Sequence, residues 1–462
     1  MDRIRPYERN PAYWQYKGKP VLLLGGSVED NLFQIPGLAE HLDLLKSVGG
    51  NYVRCTMSSR DEGNVWPFER NSDGKYDLNN PGGEFWRRFE NFLKLTSQRE
   101  IIVQIEVWAT FDFYRDCWDA NPFNPANNVN YTAGESKLPE KVSTHPTKCE
   151  NPFFWSVPAE HNNEVVLKYQ RAFVDKLLSI SLAYGNVLYC MDNETSVTPE
   201  WGWYWSGYIK AAADKAGVEV HTTEMWDKWD LSHSQHDNTF DHPDIYSFVD
   251  VSQNNHNQGQ VHWDNAQKQL KRVRDSGRLR PVNCVKTYGA DTGRFGNDRD
   301  AQERFWRNIF GGISSCRFHR PNSGLGLSAK AQANIKSMRM ITDEMDVFSC
   351  RPACNLLAPE LRSKNEAYCM ADPPRVYAIF FTDGGNVVLD VSATKGKALR
   401  IRWLDIASAK WHDAVTASPE EANIDVGSGG HLPDCYRFYK SGKLQLARPD
   451  GRMWAVLVRP VE

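Results

Sequence analysis

The stretch Leu188-Tyr189-Cys190-Met191-Asp192-Asn193-Glu194-Thr195 joins an apolar run to a polar tip. Its reading decides the fold. A short, wholly apolar run of this kind suits a strand buried on both faces of a parallel sheet. In a (β/α)8 barrel the catalytic groups sit at the C-terminal ends of such strands, which is where Asn193 and Glu194 fall. Asn193 is suited to holding a sugar hydroxyl, and the Trp201-Gly202-Trp203-Tyr204-Trp205 segment that follows offers ring faces for stacking. The same dipeptide also suits the cap and first turn of a helix. The flanking sequence has to choose.

Strand and helix patterns alternate around it. Val21 to Leu24 ends at Gly25-Gly26-Ser27, and Leu38, Leu42, Leu45 and Val48 follow at helical spacing. Tyr52 to Cys55, Ile101 to Val107 and Val187 to Met191 read as strands two to four, with helices over Phe85 to Leu95 and Val166 to Ile180 between them. Val218 to Glu224, Tyr246 to Val251, Pro281 to Lys286 and Gly312 to Phe318 read as strands five to eight, and Ala329 to Met345 closes the series. Eight alternations predict a TIM barrel over residues 1–348. A doubly wound sheet is the competing fold, but the Gly-rich phosphate turn after its first strand is missing. An irregular insertion over about Thr110 to Asn162 is long enough to suggest a functional loop.

From 349 to 462 the pattern becomes alternating strands. Tyr377 to Phe381, Val387 to Val391, Leu399 to Trp403 and Trp454 to Val458 are separated by turns at Asp383-Gly384-Gly385, Lys395-Gly396 and Asp450-Gly451. This predicts a small antiparallel β-sandwich. The net charge of −3 over 462 residues leaves no nucleic-acid footprint, and no apolar run reaches the ~18 residues of a membrane span. Met1 to Pro6 lacks the apolar stretch of a signal peptide, so the chain as written reads as cytoplasmic, or as secreted or periplasmic with a leader removed. The ten cysteines lack CxxC spacing and the histidines lack HExxH, so no metal or other cofactor is expected. Free thiols are favoured over a Cys117–Cys149 bridge. Sixteen Trp, 18 Tyr and 21 Phe suit a carbohydrate site or a large core.

A barrel would gather the strand tips at one mouth: Arg54; Glu106 and Trp108; Asn193 and Glu194; Glu224; Asp250, Gln253 and Asn254; Lys286 and Tyr288; His319 and Arg320. Carboxylates among amides, aromatics and cations describe a glycosidase. That chemistry needs one protonated carboxyl for the leaving oxygen and an ionised second one. Glu194 is the acid candidate and Glu224, on the neighbouring strand, the candidate partner. Glu106 reads as a structural acid facing a buried cation, with Asp250 between the two roles. Lys286 and Arg320 would pair with these acids or hold a sulfate or carboxylate on the sugar.

On these residues the chain resembles the retaining glycoside hydrolases of clan A, above all the apiosidase-like barrels with a C-terminal collagen-binding-type β-sandwich. Asn10-Pro11-Ala12-Tyr13-Trp14 and Gly18 to Ser27 are similar to their opening hairpin and first strand, and Trp403-Leu404-Asp405 to a segment of their sandwich. The resemblance implies that Glu194 is the general acid/base. It also implies a glutamate nucleophile at the tip of strand seven, where this chain has Lys286-Thr287-Tyr288. The leading expectation is therefore a glycoside hydrolase acting on a plant or algal poly- or oligosaccharide, anionic ones included, with a displaced second carboxylate. The alternatives are a carbohydrate-binding pseudoenzyme, and a lyase or isomerase using Lys286 or Tyr288 as a base on a uronic acid. A carbohydrate is the expected partner, with no nucleic acid or membrane; the sequence leaves oligomeric state open.

Overall fold

The computed structural model describes residues 2–290, 295–359, 363–382, 385–419 and 436–461. Eight parallel strands line up as β1 (Leu23–Gly26), β2 (Tyr52–Thr56), β3 (Ile102–Trp108), β4 (Val187–Asp192), β5 (Thr222–Thr223), β6 (Val249–Asp250), β7 (Val282–Thr287) and β8 (Ser315–Phe318). Their order is β5-β4-β3-β2-β1-β8-β7-β6. The ring closes between β5 and β6 through Ser247, whose amide donates to the Thr222 carbonyl at 3.0 Å and whose hydroxyl accepts from the Thr222 amide at 3.1 Å. The competing doubly wound sheet is thereby excluded.

Helices α1 (Leu38–Ser47), α2 (Gly83–Gln98), α3 (Glu164–Ser181), α4 (Pro199–Lys215), α5 (Gly259–Asp275), α6 (Asp298–Phe310) and α7 (Ala329–Asp343) cover the strands. Their apolar faces, such as Phe85, Phe89, Phe92 and Leu93 of α2, are fully buried against the ring. Inside the ring lie Leu23, Tyr52, Ile102, Leu188, Phe248 and Val285. An opening hairpin (Asn10–Tyr16 with Lys19–Val21) plugs that interior with Trp14, whose indole N–H donates to Asn283 Oδ1 at 2.9 Å. Buried indoles need such a partner.

Two strands are shorter than their sequence patterns suggest. Val218 to Val220 lies outside the β5 ladder, and the Arg3 guanidinium takes the Glu219 carbonyl at 2.9 Å in place of a strand neighbour. Tyr246 to Phe248 similarly precedes β6.

Helix α7 ends at Asp343 and the antiparallel part begins at Arg351–Pro352. Its main sheet holds β9 (Ala367–Asp372), β10 (Val376–Phe381), β11 (Leu399–Asp405) and β12 (Trp454–Pro460), in the order β9-β10-β12-β11. A three-stranded sheet of Asn386–Asp390, Lys443–Ala447 and Tyr436–Phe438 faces it across Ile379, Phe381, Leu389, Leu444 and Val456. Asp383 and Gly384 of the first expected turn lie outside the described residues. The other face of the main sheet shares the core of the barrel helices: the Trp306 ring of α6 stacks on Phe380 with centroids 5.1 Å apart. The sandwich is therefore built onto the barrel as a buttress. Replacing Trp306 with Ala should cost about 3–5 kcal/mol by emptying this contact. Urea titration of the variant checks this, and a loss below ~1 kcal/mol would contradict it.

Candidate functional site

At the C-terminal mouth a cavity of about 420 Å³ is lined by Arg54, Asn193, Glu194, Lys286, Tyr288, His319 and Arg320. Seven of the residues singled out from strand tips thus converge. Helix α4 begins only at Pro199, behind Thr198, so Asn193 and Glu194 do not cap it. Glu194 instead adopts a left-handed backbone (φ 56°). Residues with a side chain seldom hold that conformation, and functional sites are where it persists. The turn is held to β5 by Thr195, whose amide donates to the Met225 carbonyl at 2.9 Å.

The carboxylate of Glu194 meets the Lys286 ammonium at 2.6 Å and accepts from the Tyr288 hydroxyl at 3.2 Å and the Gln253 amide at 3.4 Å. Burial alone would raise its pKa, but the Lys286 charge and hydrogen bond outweigh burial and hold it below the ordinary glutamate value. Lys286 also donates to Asn193 Oδ1 at 2.9 Å, and Arg54 Nη2 donates to the same oxygen at 2.5 Å. Arg54 is buried and reaches Glu106 at 2.6 Å and Asp30 at 2.8 Å. Glu106 is therefore the structural acid facing a buried cation.

Sequence reasoning did not single out Asp30, which follows β1 and lines the cavity. Burial would raise its pKa, yet Arg54, Arg317 and Arg320 bring it well below the usual carboxylate range. His319 lies 3.4 Å from Asp30 but burial pushes its own pKa far down, so the ring is neutral. The signal missed was Glu29-Asp30 beyond the Gly25-Gly26 tip, four residues past the end of β1.

Five expected residues stand elsewhere. Trp108 is buried in an aromatic cluster with Phe153, Phe173, Trp201 and Trp205. Trp201 and Trp205 are themselves fully buried, so these rings build core and not a sugar platform. Asn254 turns away to the His262 carbonyl. Asp250 is buried below the mouth, where its carboxyl accepts from the Ser252 amide and burial raises it to about 6. Gln253 lies outside the lining but reaches Glu194 as described.

Glu224 lies on the outer side of the wall. Strand side chains alternate between faces, and Glu224 points with Asp192 toward α4. Its Oε1 accepts from the Asp192 and Met225 amides at 3.0 and 2.9 Å. Gly202 lets the carboxyl in, since a Cβ there would collide with Glu224 Oε2 and the Tyr246 hydroxyl. The Asn- and aromatic-rich insertion is packed by its own side chains. Amides of Asn121, Asn124 and Asn151 donate to loop carbonyls at 2.8–2.9 Å around Phe113, Phe123 and Phe153. Its Phe111, Tyr114, Arg115 and Asp116 form one wall of the cavity.

Cys117 and Cys149 are free thiols and do not bridge. Among the described residues no group of three His, Cys, Asp or Glu side chains is placed to hold a metal ion, and no helix is long and apolar enough to cross a membrane.

No protein-family model matches the chain, and no curated protein matches it. Solved structures do. One is a glycoside hydrolase family 5 protein from Bacteroides vulgatus, with TM-score 0.62, 12% identity, and 99% of this chain and 93% of that one covered. The likeness is one of fold. A second glycoside hydrolase matches with TM-score 0.61 at 10% identity over 99% and 97% of the two chains. A family 5 mannosidase from Rhizomucor miehei matches with TM-score 0.50 at 12% identity, covering 74% of this chain and 99% of its own. The first two span barrel and sandwich together, so both units recur in one such architecture.

Burial raises Asp192 to about 8 and drives Glu224, hydrogen-bonded to it, well above its ordinary value. Both folded values exceed the unfolded ones near ~4. The stabilisation is therefore complete below pH ~4 and is lost as pH rises toward about 8. Urea midpoints measured from pH 4 to 9 should fall across that window, and less steeply in Glu224→Gln. Equal slopes for the two proteins would refute the buried, protonated pair.

Proposed function

We propose that this protein is a glycoside hydrolase that cleaves a carbohydrate at the cavity holding Glu194. The observation that carries the reading is Glu194 itself, a carboxylate at the tip of β4 in a strained turn, opening into a cavity large enough for a sugar ring. Glu194 exchanges the proton with the glycosidic oxygen, Asn193 and Tyr288 orient the sugar, and Arg54 and Lys286 fix Asn193 from below. Glu224 is too deeply buried behind the wall to attack a substrate. The second carboxylate falls to Asp30, which shares the cavity and stays ionised beside its arginines. An ionised partner opposite a proton donor is what either stereochemical course requires.

Glu194→Gln should reduce turnover of a cleavable glycan by about 10²–10⁴-fold, the usual worth of a general acid, while glycan binding persists. Asp30→Asn should reduce turnover comparably. Full activity in Glu194→Gln would end the assignment.

The Lys286 contact adds a pH signature. With its pKa depressed, free Glu194 carries the transferable proton only on the acid side, so kcat/KM should fall as pH rises through that low value. Lys286→Met removes the charge that opposes burial, and the falling limb should move to higher pH. An unmoved limb would show that Glu194 is not the titrating acid.

The alternative of elimination on a uronic acid is not favoured, because Lys286 is engaged with Glu194 at 2.6 Å and burial raises the Tyr288 phenol well above its ordinary value, so neither is placed as the base. Its product would be unsaturated and absorb in the ultraviolet, where hydrolysis leaves only a new reducing end.

A further inference from the structure

Two cations in the wall of the cavity have no task in the chemistry above. Arg54 is committed to Asp30, Glu106 and Asn193, Lys286 to Glu194 and Asn193, and Arg320 to Glu29, with Asp30 and Asp61 beside it. Arg60 and Arg115 line the same cavity, Arg60 with one long ion pair to Asp112 and Arg115 with no salt bridge among the described residues. The carboxylate nearest Arg60 is Asp112 at 3.5 Å, and the oxygens of Asp112 already accept from the Ser58 hydroxyl and the Ser59 amide at 2.8 Å. Among the described residues Arg115 makes no salt bridge, and Asp116, the carboxylate beside it in the wall, pairs with neither arginine.

Resting on the carbohydrate reading of this cavity, we propose that Arg60 and Arg115 form a subsite for an anionic substituent of the glycan, a carboxylate or a sulfate. Arg115 holds a left-handed backbone (φ 57°), with its amide donating to the Val142 carbonyl at 2.6 Å. That is a second strained residue at the cavity, on a loop tied down by buried asparagines. Such strain persists where a site needs a side chain in one place. Phe111 stands in the same wall, and the Arg60 guanidinium lies over its ring, 5.8 Å from the centroid, which holds that charge at the cavity. Guanidinium forks match the paired oxygens of a carboxylate or sulfate, and their weak hydration makes the exchange of water for ligand inexpensive. His319 is neutral, so it adds no competing charge at the floor. The substrate class is then an acidic glycan, with its acidic group between the arginines.

The test is calorimetric binding of the full chain to four probes: a galacturonate trisaccharide, its carboxyl-reduced form, a sulfated galactose oligosaccharide and its desulfated form. One acidic probe should bind about tenfold or more tighter than its neutral counterpart, the size of charge-assisted contacts. Which acidic probe does so identifies carboxylate or sulfate. Arg60→Gln/Arg115→Gln should erase the preference and leave neutral binding unchanged, with the thermal midpoint reporting that the variant is folded. Glu194→Gln should keep the preference while losing turnover. Neutral probes bound as tightly as acidic ones, equal weakening of both by the double variant, or no binding of any probe would overturn the proposal. Selective binding without cleavage would instead remove the hydrolase reading and leave the subsite standing.

Discussion

The guanidinium of Arg54 ties the barrel mouth together. It lies on β2, fully buried, and makes contacts to the turn after β1, to β3 and to the tip of β4 through Asp30, Glu106 and Asn193. A buried cation with these partners is a demanding element: removing one partner from such a network typically costs about 3–5 kcal/mol, because the charge left behind is unpaired. The same network fixes the side chain of Asn193, and Asn193 with Lys286 fixes the position of Glu194. Whatever the cavity does to a sugar, it does with a glutamate positioned by this charge relay across four strands.

Lys286 sets the second constraint. It occupies the strand-seven tip where the resemblance to clan A enzymes implied a glutamate. A lysine there changes the state of Glu194 more than its location, holding below the ordinary glutamate value a carboxyl that burial would raise. Asp192 and Glu224, which make no salt bridge among the described residues, go the opposite way. The carboxyls of Asp192 and Glu194, two residues apart, are thus separated electrostatically, that of Glu194 lowered and facing the cavity, that of Asp192 raised and facing α4 with Glu224.

Much of this was legible in the sequence. The eight-fold alternation, the Asn193-Glu194 tip and the change to antiparallel strands follow from periodicity, because burial of β4 and of α2 depends on spacing alone. Glu224 was misplaced because it follows a strand of only two residues, and a seven-residue pattern gives no sign of which face its last side chain takes. Asp30 was missed because it lies beyond the tip of β1, in a loop that periodicity cannot reach. The tryptophans misled for a different reason. A ring that would serve a sugar also serves a core, and α4 presents Trp201 and Trp205 inward, four residues apart on one face.

The central claim, that a glycosidic bond is cleaved by water at Glu194, is tested most directly by running glycans with the protein in oxygen-18 water and weighing the products. The account predicts new reducing ends each carrying a single oxygen-18. Unsaturated products without the label, or no products from any glycan, would contradict it.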